Sequence, residues 1–148
     1  MDNQTAYTST LNQLLASYQL HYQNLRSLHW NIKGKNFFEL HLKYEELYTR
    51  TQVIIDDLAE RILTLQVTPY SNFTDYLKHS VIPENSIISD GEEGMKYVLK
   101  AQQELLILER ELLNLSSDNS DEGTNALMSD LVREKEKTNW MFASWLGH

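Results

Sequence analysis

Imidazole and carboxylate groups recur at helical spacing within one stretch of this chain, His29 to Arg61, which reads HWNIKGKNFFELHLKYEELYTRTQVIIDDLAER. His41 and Glu45 are four residues apart, as are Asp56 and Glu60, so on a helix each pair can aim two groups at one ion. The chain has no cysteine, which excludes disulfides, iron–sulfur clusters and thiolate sites and leaves imidazole and oxygen as the available ligands. Such ligands suit Fe(II) and hold Fe(III) more strongly, and an incomplete shell leaves positions for water and an oxidant. The two pairs cannot share an ion within one straight helix, because His41 and Asp56 lie fifteen residues apart, about 22 Å at 1.5 Å per residue. Two copies can do what one cannot. If two such helices run antiparallel about a two-fold axis near Arg50 and Thr51, His41 and Glu45 of one copy face Asp56 and Glu60 of the other, twice over.

Each of these residues also has an ordinary reading. His29 alone suits a packed or C-capping histidine at a helix end. His41 with Glu45 is a common surface pair. Asp56 and Glu60 can pair with Arg50 or Arg61, although like charges four apart cost about 0.2–0.5 kcal/mol unless a cation intervenes.

The elements that must position these groups are readable from periodicity. Tyr7, Leu11, Leu14, Leu15, Tyr18, Tyr22, Leu25 and Leu28 predict a first helix leading to His29, with almost no charge beyond Arg26. That polar, weakly charged surface fits either burial against other subunits or a solvated face. Gly34 ends the pattern, and Asn36 with Glu39 offers an N-cap and capping-box partner. From Phe37 to about Gln66 a second helix carries Leu40, Tyr44, Leu47, Ile54, Leu58 and Leu65 on one face. Its other face mixes His41, Glu45, Tyr48, Gln52, Ile55, Asp56, Ala59, Glu60 and Leu63, as expected of a helix with two neighbours. Thr68-Pro69 closes it, and the connection to about Ser89 is too long for a hairpin. Asn72–His79 predicts a short helix within that crossover. A third long helix follows a Ser89–Glu92 capping box, with Gln102 and Glu109 among its apolar positions. After a turn from Ser116 to Gly123, a fourth spans Asn125–Leu146, with Leu127, Leu131, Thr138, Met141, Phe142 and Trp145 on one side.

HWNIKG, the Leu40-His41 step twelve residues after His29, and DDLAER together resemble the Dps family of ferritin-like proteins, as do NFTDYLKH and KTNWMFASWLG, so the likeness spans essentially the whole chain. It implies an all-α, ferritin-like four-helix bundle with a short helix in the long crossover between the second and third helices, one domain over residues 1–148, and a short non-basic tail over residues 1–6. By position it makes His29, His41 and Glu45 of one subunit, with Asp56 and Glu60 of another, a ferroxidase centre. Where the family commonly has Asp, this chain has Glu45, whose longer arm keeps the charge and changes the reach. The resemblance further implies Fe(II) oxidation, preferentially by hydrogen peroxide rather than dioxygen, with ferric mineral stored inside a hollow homododecamer built from two-fold dimers and zinc as a competing ion. Trp30, beside His29, is a candidate electron donor. No Glu-x-x-His motif is present, which speaks against two metals enclosed in one bundle.

The 148 residues suit one domain, and the net charge of -8 favours gathering cations over attracting nucleic acid. No apolar run reaches the roughly 20 residues a membrane span needs, and the N-terminus lacks the regions of a signal peptide, so a cytoplasmic protein is expected. A DNA-binding nucleoid protein is the rival reading, but neither terminus carries the basic segment it needs, so DNA binding is not expected. A zinc-loaded or metal-free scaffold is a third. Glu46 and Asp57 are weak candidates for mineral nucleation; the resemblance also implies acid-lined three-fold pores, to which the sequence alone does not assign Asp118, Asp121, Glu122 or Asp130. Trp140 and Trp145 have the spacing of core or contact residues, and His21, His79 and His148 read as surface histidines.

Overall fold

The computed structural model describes residues 3–148, with side chains from residue 6 onward. Its elements are α1 (Asn3–Asn31), α2 (Phe37–Thr64), the short α3 (Phe73–His79), α4 (Gly91–Asp118) and α5 (Glu122–Trp145). Helix α1 packs against α2, α3 and α4, and α4 packs against α5. This is the expected four-helix bundle with a short helix in its crossover. Helix α1 begins four residues earlier than its apolar pattern, so of the expected tail only Met1 and Asp2 remain, outside the described residues.

Helix α1 lacks charge because it is enclosed within its own chain. Tyr7, Leu11, Leu14, Leu15, Tyr18, Leu25 and Leu28 are buried, and so are Asn12, Ser17, His21 and Asn24 between them. The small polar groups act as brackets for the crossover. Asn12 donates to the Thr68 carbonyl and accepts from the Tyr70 amide. Ser17 accepts from the Val81 amide, and Asn24 donates to the Pro83 carbonyl and accepts from the Asn85 amide. A buried amide left unpaired would cost about 1–3 kcal/mol, so an irregular segment can lie on α1 only where such partners exist.

The apolar core has two parts, one between the first half of α1, the second half of α2 and the α4–α5 end, the other around Leu25, Leu28, Leu40, Tyr44, Met95 and Phe142. Several helix ends differ from expectation. Asn36 is the N-cap of α2 but makes no side-chain cap bond. The α4 cap is Asp90, accepting from the Glu93 amide, one residue beyond the expected Ser89–Glu92 pair. Helix α5 starts at Glu122 because Asp121 caps it, accepting from the Thr124 amide. On α5 the buried positions are Thr124, Met128, Leu131, Lys135 and Phe142, while Met141 is exposed.

Candidate metal centre

His29 sits in the last turn of α1 and His41 in the first turns of α2. The bend between them brings the two rings into a parallel stack, with centroids 3.7 Å apart and planes 12° off parallel. Gly34 makes the bend possible with φ at +107°, a region where a side chain is strained. The Lys33 amide is drawn away to the Ser89 carbonyl at 2.9 Å. That diversion leaves the His29 carbonyl without the amide that a continuing helix would supply.

The His41 ring fills that gap, and the His29 ring makes the matching bond in return. His41 Nδ1 lies 2.7 Å from the His29 carbonyl oxygen, and His29 Nδ1 lies 2.6 Å from the His41 carbonyl oxygen. A carbonyl only accepts, so both Nδ1 atoms carry the proton, and in the neutral ring that tautomer leaves the lone pair on Nε2. This arrangement prepares an imidazole as a metal ligand, because the bond at one nitrogen fixes ring orientation and tautomer at the other. Phe37 stacks on His41 at 4.9 Å and Tyr48 presents its edge to His29 at 5.4 Å, so the pair is also clamped by packing. Glu45 stands beside them, Oε1 being 3.7 Å from His29 Nε2.

Asp56 and Glu60 lie further along α2 and are exposed. Neither arginine reaches them. Arg50 pairs with Glu134 at 2.9 Å, and Arg61 with Asp121 at 2.7 Å and with the Thr124 hydroxyl. Among the described residues nothing neutralises the two carboxylates, and no three His, Asp or Glu side chains group closely enough to hold a metal. One chain thus presents an imidazole-rich set where α1 meets α2 and a separate carboxylate set further along α2.

A family pattern described as a ferritin-like domain matches residues 8–148. The DNA protection during starvation protein 2 of Bacillus anthracis is 32% identical over 137 residues, covering 93% of this chain and 94% of that one. The DNA protection during starvation protein of Porphyromonas gingivalis is 36% identical over 135 residues, covering 91% and 85%. The crystal structure of the Dps protein from Vibrio cholerae O1 matches with a TM-score of 0.94 at 47% identity, over 99% of this chain and 93% of that one. The chain belongs to the Dps family.

The Vibrio cholerae Dps is described as a member of a broad superfamily of ferritin-like diiron-carboxylate proteins. In the present Dps chain several other expected residues have particular settings. Trp30 is 57% exposed, with the Arg26 guanidinium 5.0 Å from its ring. Asp121 is fully engaged, accepting from Tyr7, Arg61 and Thr124, and Asp130 pairs with Arg133 at the surface. Glu46 pairs with Lys43. His21 is not a surface residue but is buried at 2% exposure, while His79 stacks on Tyr70 and His148 is exposed. Trp145 packs against the core beside Phe142, whereas Trp140 is exposed. The backbone locks on His29 and His41 were invisible to spacing, since they depend on where the Lys33 amide goes.

Proposed function

We propose that this Dps protein binds Fe(II) between paired subunits, oxidises it there, and keeps the ferric product as mineral inside a hollow dodecamer. Each centre takes His29, His41 and Glu45 from one copy and Asp56 and Glu60 from a second. The observation that carries this reading is the pair of unfinished ligand sets: two imidazoles with Nε2 turned away from their backbone bonds where α1 meets the start of α2, and two uncompensated carboxylates about 22 Å further along α2. Antiparallel pairing of two copies completes both sets at once. Membership in a ferritin-like family supports iron storage as the purpose.

In the reaction each Fe(II) gives up one electron. One hydrogen peroxide accepts two electrons, its O–O bond breaks, and its oxygens leave at the oxidation level of water. The Nε2 lone pairs and carboxylates bind the substrate iron, and carboxylates favour the ferric product because their charge offsets its added positive charge. Peroxide is proposed as the preferred oxidant over dioxygen. Where peroxide meets a single bound Fe(II), Trp30 beside His29 supplies the second electron that breaking the O–O bond needs, and Zn(II), which accepts the same ligands, competes with iron. No described helix is long and apolar enough to cross a membrane, and a cytoplasmic setting is proposed.

The test is anaerobic addition of Fe(II) followed by peroxide, watching ferric absorbance. About one peroxide should be consumed per two Fe(II), as the electron balance requires, and His41→Ala should slow the rise greatly by removing a ligand from every centre. Light scattering should find a dodecamer. A stable monomer with full oxidation activity would refute the shared centre.

A further inference from the structure

The middle of the bundle holds a second group of polar side chains that the interfacial centre does not use. Tyr18 and His21 of α1, Glu109 of α4 and Lys135 of α5 meet there. The Tyr18 hydroxyl donates to Glu109. Lys135 Nζ lies 3.3 Å from Glu109 Oε2 and 4.9 Å from the centroid of the Tyr18 ring. Glu109 is 0% exposed and Lys135 4%. His21 Nδ1 and Glu109 Oε1 are buried with no hydrogen-bond partner among the described residues. Tyr18, His21 and Lys135 line a cavity of about 160 Å³, walled on one side by Arg50 and Glu134.

Stability does not account for this group. Taking both charges of an ion pair out of water costs several kcal/mol per ion, and well-packed apolar residues in the same place are often as stabilising or more so. The arrangement instead has the chemistry of a cation site: a carboxylate, the face of a phenol ring and a neutral imidazole gathered around one positive charge. Burial, and then the Lys135 charge, lower the His21 pKa to about 3, so its imidazole stays uncharged. Bundles that hold metals in their core do so with carboxylates and imidazoles from facing helices. Here the chain's own ammonium stands among such groups.

We infer that the bundle centre is a cation site filled by Lys135, and that Lys135 is the residue that keeps metal ions out of the bundle. Lys135 thereby confines metal to the interfacial centres, a consequence that rests on the proposed function; the occupied internal site does not. With the ammonium removed, Glu109, His21 and Tyr18 supply two oxygens and a nitrogen to a divalent ion, and the adjoining cavity has room for water to complete the shell.

The experiment is a Co(II) titration by equilibrium dialysis and visible absorption, on the assembled protein and on a His41→Ala/Asp56→Ala background that silences the interfacial centres. Adding Lys135→Ala should raise Co(II) uptake by about one ion per chain in both backgrounds, with new visible bands, and His21→Ala should abolish the gain. No gain in folded Lys135→Ala protein, or a gain that survives His21→Ala, overturns the inference. The silenced background separates the two questions, since here it is the interfacial reading that fails if His41→Ala/Asp56→Ala leaves metal uptake and oxidation unchanged. Should Lys135→Ala not fold, Lys135→Met keeps the length of the side chain without its charge. Should neither fold alone, Co(II) must restore the helical assembly during refolding, and its failure to do so also overturns the inference.

Discussion

Mixing two defective subunits gives the sharpest test of where the metal ligands come from. His41 and Asp56 lie fifteen residues apart on α2, about 22 Å along the axis, so in the proposed pairing each centre takes one from each chain. His41→Ala alone and Asp56→Ala alone therefore damage every centre. A heterodimer with one lesion on each chain has both in one centre and neither in the other, so it should keep about half the wild-type rate if the centres act independently. In assemblies refolded from an equimolar mixture, the chain supplying His41 is intact half the time, as is the chain supplying Asp56. About a quarter of the centres should then be whole. The assay is the initial rate of Fe(II) oxidation in assemblies carrying two different tags and purified through both, with subunit exchange shown to be slow. If all ligands belonged to one chain, every chain in the mixture would be damaged. A mixed assembly no more active than its parents refutes the shared centre.

Other residues offer independent checks. Burial alone would raise the Asp121 pKa, but hydrogen bonds from Thr124 and Tyr7 and the Arg61 charge outweigh it and lower the value from 3.8 to about 2. A pKa depressed in the folded state stabilises above the unfolded value and loses that contribution as pH falls from about 4 through 2, on the order of 2 kcal/mol in all. Asp121→Asn should therefore unfold at lower urea concentration at pH 6, with the deficit shrinking below pH 4; a deficit independent of pH would show that charge is not the cause. A Cβ added at Gly94 would lie 2.8 Å from the buried Tyr44 hydroxyl, so Gly94→Ala should cost about 1–3 kcal/mol, seen as a lower melting temperature, and an unchanged melting temperature would mean that α2 and α4 separate freely. With a net charge of -8, the assembly should not retard duplex DNA at physiological salt, and a shift that weakens steeply as salt rises would reveal a basic patch.

Long helices were readable from the sequence because their apolar residues recur with the helical period, and the α1–α2 bend because Gly34 announces it. Ends without glycine were harder to place. Gln66 and Ser120 take positive φ without being glycine, and the true caps Asp90 and Asp121 each sit beside another plausible capping residue. The ligand candidates were visible as i,i+4 pairs, but their preparation was not. Whether Arg50 and Arg61 neutralise Asp56 and Glu60 depends on α5, which brings Glu134 and Asp121 within reach of them. Gln102 and Glu109 did carry a signal, since each interrupts the apolar face of α4. Lys135 did not, because one lysine on a charged helix looks like any other, whereas His21 falls at helical spacing between Tyr18 and Leu25 on the nearly uncharged α1, a position that does signal burial.

The enclosure of α1 has a consequence for how the chain acquires its structure. Of the described helices α1 is made before the other four, yet Tyr18 bonds to Glu109 and Tyr7 to Asp121, partners 91 and 114 residues further on. Contacts that span so much chain must close long loops before they stabilise anything, which slows folding. Until α4 and α5 have been synthesised, the apolar residues of α1 lack part of their final cover, and few charges on that helix keep it apart from other incomplete chains. The growing polypeptide is thus most exposed to aggregation during its own translation, and α1 reaches its final surroundings only after α5 has arrived.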